Sequence, residues 1–218
     1  MKKFPSKAWL LTLLLAVAFI LAACGGVGSG QQGDQSGGHG KMDLGQMGHG
    51  SMGMGSKDMA RQMVMQNGKY SDRRFIDAMV PHHQGAIAMA RVALGNAEHE
   101  EINELSRNII STQQAEIEEL KAIKREEFGI SQVPMEMGPQ QTRSMMMNPQ
   151  HLAQSEPFDK AFIDAMIPHH HSAIYMAQVA HEKSKIAAIK ELAENIMSAQ
   201  KREIEQMKQW RKVWYPEG

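Results

Sequence analysis

What this chain lacks narrows its chemistry before any motif is read. Its 218 residues include one cysteine, Cys24, so no disulfide within the chain can form. Lysine plus arginine and aspartate plus glutamate both number 24, a formal net charge of zero that leaves no basic footprint for nucleic acid. No nucleophile, base and orienting residue form a recognisable set. The glycine-rich stretch precedes no strand–helix unit that would cradle a phosphate. Ala8–Leu21 is an apolar run too short for a comfortable membrane span. What is abundant is methionine, 19 residues, and histidine, 10 residues. That methionine content far exceeds what gap-filling in an ordinary core requires.

The chain opens as an export signal. Lys2, Lys3 and Lys7 precede the apolar run, which ends in Leu21-Ala22-Ala23-Cys24. This ending resembles a bacterial lipobox, predicting a signal peptide over 1–23 and a lipidated Cys24 as the mature N-terminus. The alternative is an uncleaved anchor with an incidental cysteine. Acyl chains buried in a leaflet would tether the protein to an envelope membrane, facing the periplasm or the exterior. Without Lys2, Lys3 and Lys7 the remainder carries 24 − 3 = 21 basic against 24 acidic side chains, too mild an excess to steer acidic partners.

Residues 24–56 then read as a disordered tether rich in glycine, serine, glutamine, methionine and histidine. At random-coil dimensions it would hold a domain about 30 Å from its anchor. A spacer does not need the methionines it carries. His39, Met42, Met47, His49, Met52 and Met54 form a set of thioether and imidazole groups able to wrap Cu(I) or Ag(I) at low coordination number. Compositional drift in a spacer is the plainer reading. A short helix is predicted over Lys57–Gln66, with Ser56 as its cap and Asn67-Gly68 as its stop.

The rest of the chain, 57–218, is organised by a duplication. Phe75-Ile-Asp-Ala-Met-Val-Pro-His-His83 recurs as Phe162-Ile-Asp-Ala-Met-Ile-Pro-His-His170, an offset of 162 − 75 = 87 residues. The offset carries on into Gln113-x-x-Glu116-Ile and Gln200-x-x-Glu203-Ile. Each copy, about 71–128 and 156–214, shows two helical apolar patterns separated by a break. Ser71 and Ser184 are expected to cap helices, and a proline-rich connector holding Met135, Met137 and Met145–Met147 joins the copies. Two αα-hairpins with matching apolar stripes bury them best together, which predicts an all-α four-helix bundle. Pro81 and Pro168 fall inside their helices. Because the apolar pattern runs through them, a continuous kinked helix is preferred to a new helix starting there.

Placed on a helical wheel, His83 lies in the middle of the core face, while His82 and Met89 share a shoulder and Gln84 and Arg91 face water. Met166, His169, His170 and Met176 repeat this, and His171 replaces the solvent-facing Gln84. On the following helices Gln113, Glu116, Gln200 and Glu203 lie inside apolar stripes, where a carboxylate is costly unless paired or bound to a cation. Folding each hairpin brings them level with the histidines. Three readings stay open: a polar network fixing register, a di-metal oxidase centre, or a soft-metal site. A ferritin-type oxidase centre needs Glu-x-x-His; here methionine precedes instead, in Met79-x-x-His82 and Met166-x-x-His169. That exchange favours sulfur and nitrogen ligation.

These His-His segments, with the following Ala-Ile-x-Met-Ala and Gln-x-x-Glu-Ile, resemble the bacterial family called domain of unknown function 305, from Ser71 to about Trp214. The resemblance implies a ferritin-like helical fold. Because the family includes exported copper-binding proteins, it also implies Cu(I) and Ag(I) binding at Met79, His82, His83, Met89, Met166, His169, His170 and Met176. The expectation is an envelope lipoprotein that buffers copper or hands it to a partner protein. A ferritin-like oxidase with iron, or a metal-free interaction module, stands as the alternative.

Overall fold

The computed structural model describes residues 52–134 and 148–217, which lie in one compact unit, Gln46–Gly218. Helix α1 spans Met52–Met63 and leads into a small hairpin, β1 (Met65–Gln66) paired antiparallel with β2 (Lys69–Tyr70). This corrects two expectations. The helix begins at Met52 and ends at Met63, so Met52 and Met54 stand in helix rather than tether. Asn67-Gly68 is the hairpin turn rather than a helix stop. Both residues have positive φ, 51° and 74°, as a two-residue turn between right-twisted strands requires. His39, Met42, Met47, His49, Cys24 and the signal segment lie outside the described residues, as do Met135, Met137 and Met145–Met147.

Four long helices follow. Ser71 caps α2 (Asp72–Asn96) by accepting from the amide of Arg74. Helix α3 (Glu100–Phe128) ends on Gly129, whose φ of 66° is the left-handed C-terminal cap that glycine adopts without a Cβ penalty. A short α4 (Pro149–Ala153), capped by Asn148, lies in the connector. Helices α5 (Phe158–Lys183) and α6 (Ala187–Trp214) form the second hairpin. Pro81 and Pro168 sit within unbroken helices, as the running apolar pattern predicts. Ser184 differs from expectation. Its amide donates to Ala180 at 2.8 Å to close α5, and its hydroxyl accepts from Ile186, so it shapes the turn rather than capping α6.

The hairpins pack with α2 and α5 antiparallel. Phe75, Ile76, Met79 and Val80 from the start of α2 share one core cluster with Ala173, Met176, Ala177 and Ala180 from the end of α5. Conversely, Ala86, Met89, Ala90 and Ala93 share the other with Phe158, Phe162, Ile163 and Met166. The duplication also repeats polar ties. Asp77 pairs with Lys124, and Asp164 pairs with Arg211 at 2.8 Å; both members are displaced by 87 residues. Lys124 is wholly buried and also donates to the Gln132 carbonyl at 2.6 Å. Asp164 is 44% exposed at its side chain. Burial opposes its charge, but the hydrogen bonds and charges of Arg211 and Lys160 outweigh that and hold its pKa below the ordinary carboxylate value.

A further tie crosses from one hairpin to the other. Buried Asp159, at the start of α5, accepts from the amides of Glu98 and His99 at 3.1 and 2.8 Å. It also lies 2.7 Å from His99 Nδ1, in the turn between α2 and α3. His99 stacks on Trp214, which stacks in turn on Trp210.

Candidate metal centre

The site forms where α2 and α5 cross. Their antiparallel packing brings the two His-His pairs together, and all four rings are buried. His82 and His169 lie against each other, with centroids 3.8 Å apart and planes tilted by 40°. His83 and His170 stand to either side, 6.3 Å from His82 and 6.4 Å from His169 respectively. The core placement of His83 agrees with the helical wheel. The shoulder placement of His82 and Met89 does not: both are buried, because α2 packs against α3 and α5 together and its apolar arc is wider than one partner would need. His171 is half-buried and stacks on Tyr175 rather than facing water. Burial, followed by the charge of Lys208, holds its pKa low.

Neutral imidazole is the state the fold enforces at His82 and His169. Burial first, and the neighbouring histidines next, hold His82 and His169 well below the ordinary value of 6.5. A neutral ring offers one lone pair to a metal and one N–H to a partner. His170 Nε2 lies 2.6 Å from Glu203 Oε2, and His83 Nε2 lies 2.9 Å from Glu116 Oε2 though off-line for a good hydrogen bond. His82 Nε2 lies 2.6 Å from Ser172 Oγ. In each case oxygen faces Nε2, while Nδ1 of His82, His83 and His170 is buried without a partner. Both nitrogens of His169 are unpartnered. Glu116 and Glu203, read from the sequence as an interior polar pair, thus stand behind two rings, the arrangement that orients a metal-binding histidine through its second nitrogen. Gln113 and Gln200 are buried with unpartnered amide oxygens, and neither shows a hydrogen bond to the histidines.

The four sequence-predicted methionines are all buried, and the fold sorts them into two pairs. Met79 shares a cluster with Met176, and Met89 shares the other with Met166. Met79 and Met89 are ten residues apart on α2, a rise of about 15 Å, so no single ion touches both. The methionines therefore lie at two levels of the bundle. Among the described residues no three His, Cys, Asp or Glu side chains converge as a ready-made ion site. The interior Gln-x-x-Glu segments supply one carboxylate per hairpin, and each faces a histidine. Nitrogen and sulfur donors at low coordination number suit soft ions; a cluster of hard oxygen ligands is not what these residues build.

Sequence reasoning missed Ser172, Lys124 and Asp159. All three carried a signal at the 87-residue offset: Ser172 stands where the other copy has Gly85, Lys124 matches Arg211 with an aspartate held in common, and Asp159 matches Asp72. The partners of Asp159, two amides and a ring in the turn about sixty residues away, were not legible from it.

Fold and site together define a class: an all-α bundle made by duplication, with four buried histidines at its centre and buried methionines in the core clusters on either side. The chain belongs to the family described as Domain of unknown function (DUF305), which matches residues 22–124 and 126–211. Three similar solved structures are forms of one protein. CopM in the Cu(I)-bound form is 39% identical, with a TM-score of 0.61 over 67% of this chain and 99% of that one. CopM in the Cu(II)-bound form is 40% identical, with a TM-score of 0.62 over 69% of this chain and 100% of that one. CopM in the Ag-bound form, obtained by soaking, is 39% identical, with a TM-score of 0.59 over 67% and 99%. No curated protein matches the chain.

Proposed function

We propose that this chain is a lipid-anchored envelope protein that binds Cu(I), and Ag(I) in the same manner, and buffers the ion or passes it to a partner. One observation carries the reading: buried imidazole nitrogens on four neighbouring histidines have no partner. Leaving a buried polar atom unpaired costs about 1–3 kcal/mol, and a cation that takes the lone pairs removes that cost. In this proposal Met79, His82 and Met176 form one half-site and their counterparts Met166, His169 and Met89 the other, with His83 and His170 beside them. The similarity to CopM in its copper- and silver-bound forms supports the choice of ion.

His39, Met42, Met47 and His49 form a second, tether-borne capture set in this proposal, supported by composition. No helix among the described residues is long and apolar enough to cross a membrane. Anchoring in this reading rests on Cys24 and the segment before it, which resembles a lipobox.

An anaerobic Cu(I) titration against a competing chelator tests the reading on the mature chain. One variant carries Met79→Leu, Met89→Leu, Met166→Leu and Met176→Leu, which preserve core volume. A second replaces His39, Met42, Met47 and His49 with serine. The bundle variant is expected to lose at least about tenfold in affinity, equivalent to roughly 1.4 kcal/mol, while circular dichroism stays helical. Wild-type affinity in the bundle variant, with loss in the tether variant, would move the site out of the fold.

A further inference from the structure

The two copies of the histidine motif are not equivalent, and one hydroxyl makes the difference. Ser172 Oγ donates its single proton to the His169 carbonyl at 2.8 Å, one turn back on α5. It therefore meets His82 Nε2, 2.6 Å away, as an acceptor. The ring nitrogen facing it must then carry the hydrogen, and in a neutral imidazole that leaves Nδ1 with the lone pair. At the matching position of the first copy, 172 − 87 = 85, the residue is Gly85. Glycine has no hydroxyl to offer, and both nitrogens of His169 are buried without a partner.

We propose that Ser172 is a positioning residue that locks His82 as the Nε2–H tautomer with Nδ1 presented to an ion, whereas Gly85 leaves His169 free to offer either nitrogen. Two rings are then preset, His170 by Glu203 and His82 by Ser172, while His83 Nε2 faces Glu116 at 2.9 Å without a hydrogen bond. His169, with neither nitrogen partnered, adapts. With its ring centroid 3.8 Å from that of His82, it is the donor able to serve the half-site on either side of the layer. What the nitrogens are for rests on the metal-binding reading above. The tautomers themselves are properties of the metal-free chain.

Nitrogen-15 correlation spectra of the metal-free full mature chain read the tautomers directly, because protonated and unprotonated ring nitrogens resonate in separate ranges. The expected result is Nε2–H for His82 and His170, and averaged signals for His169. Ser172→Ala should average the His82 signals while His170 stays fixed. Ser172→Thr, which keeps the hydroxyl, should restore the wild-type pattern and guards against a merely structural effect of the alanine. Adding Ag(I) should then give silver–nitrogen coupling at Nδ1 of His82. A protonated Nδ1 on His82, averaged signals for His82 in the wild type, or a His82 pattern unchanged by Ser172→Ala would overturn the proposal. Fixed tautomers with no silver coupling at any histidine would overturn the metal-binding reading and leave the lock standing.

Discussion

Lowering the pH should destabilise the metal-free bundle through its histidine layer, over a window the structure defines. In the unfolded chain His82 and His169 each gain a proton near 6.5; in the folded chain burial defers that proton to a much lower pH. Between those two values the unfolded state binds more protons, so folding stability falls as pH falls, and above 6.5 the two groups contribute no slope. Each deferred proton is worth about 1.4 kcal/mol per pH unit, so the pair gives a slope of about 2.7 kcal/mol per unit. With both rings neutral throughout, the loss from pH 6.5 to 5.0 is about 3 kcal/mol, because at 6.5 the unfolded histidines are only half protonated; this is still a large share of the 5–15 kcal/mol typical of a domain. Urea unfolding of the metal-free protein at half-unit steps from pH 8 to 5 measures it. The double variant His82→Gln/His169→Gln, titrated alongside, subtracts every other group. The wild type should be flat above 7 and should then lose stability more steeply than the variant by close to two protons. Superimposable slopes would refute the neutral, buried state assigned to these rings.

Two further perturbations test other parts of the structure. Asp77→Ala should cost about 3–5 kcal/mol in urea unfolding because it strands the buried Lys124 ammonium, whereas Asp164→Ala should cost under about 1 kcal/mol, its carboxylate being 44% exposed. Equal costs would show that the duplicated pairs are energetically alike. Cys24→Ala should abolish labelling by radioactive palmitate and release the protein from membranes, and retained label would place the lipid elsewhere or remove it from the account.

Periodicity and the 87-residue offset made much of the architecture legible. Apolar residues spaced for a helix, repeated in two copies, specify two hairpins that need each other, and folding each hairpin brings His83 level with Glu116 and, at the offset, His170 level with Glu203. Local signals were less secure wherever one residue type serves two geometries. Asn67-Gly68 ends helices and turns hairpins with the same positive φ, and only the pairing of Met65 with Tyr70 decides between them. The wheel for α2 was drawn for one packing partner, so it left His82 and Met89 at the edge; the crossing with α5 is a tertiary fact that periodicity does not encode. For the same reason the methionines read as one soft set on one helix, although axial rise divides them between two levels.

The bond from Asp159 to the turn at Glu98 and His99 bears on how such a protein can change. Here the second hairpin finishes the first, much as one subunit would complete another across a two-fold axis. Were the hairpins separate copies in a symmetric dimer, every replacement would occur twice, and a residue suited to one side would be imposed on the other. Joined in one chain, the halves are released from that rule. Glycine can stand at one position and serine at its twin; one aspartate can pair with a sealed lysine while the other, paired with arginine, stays open to water. Covalent linkage has turned a symmetric surface into two addresses that can be edited one at a time.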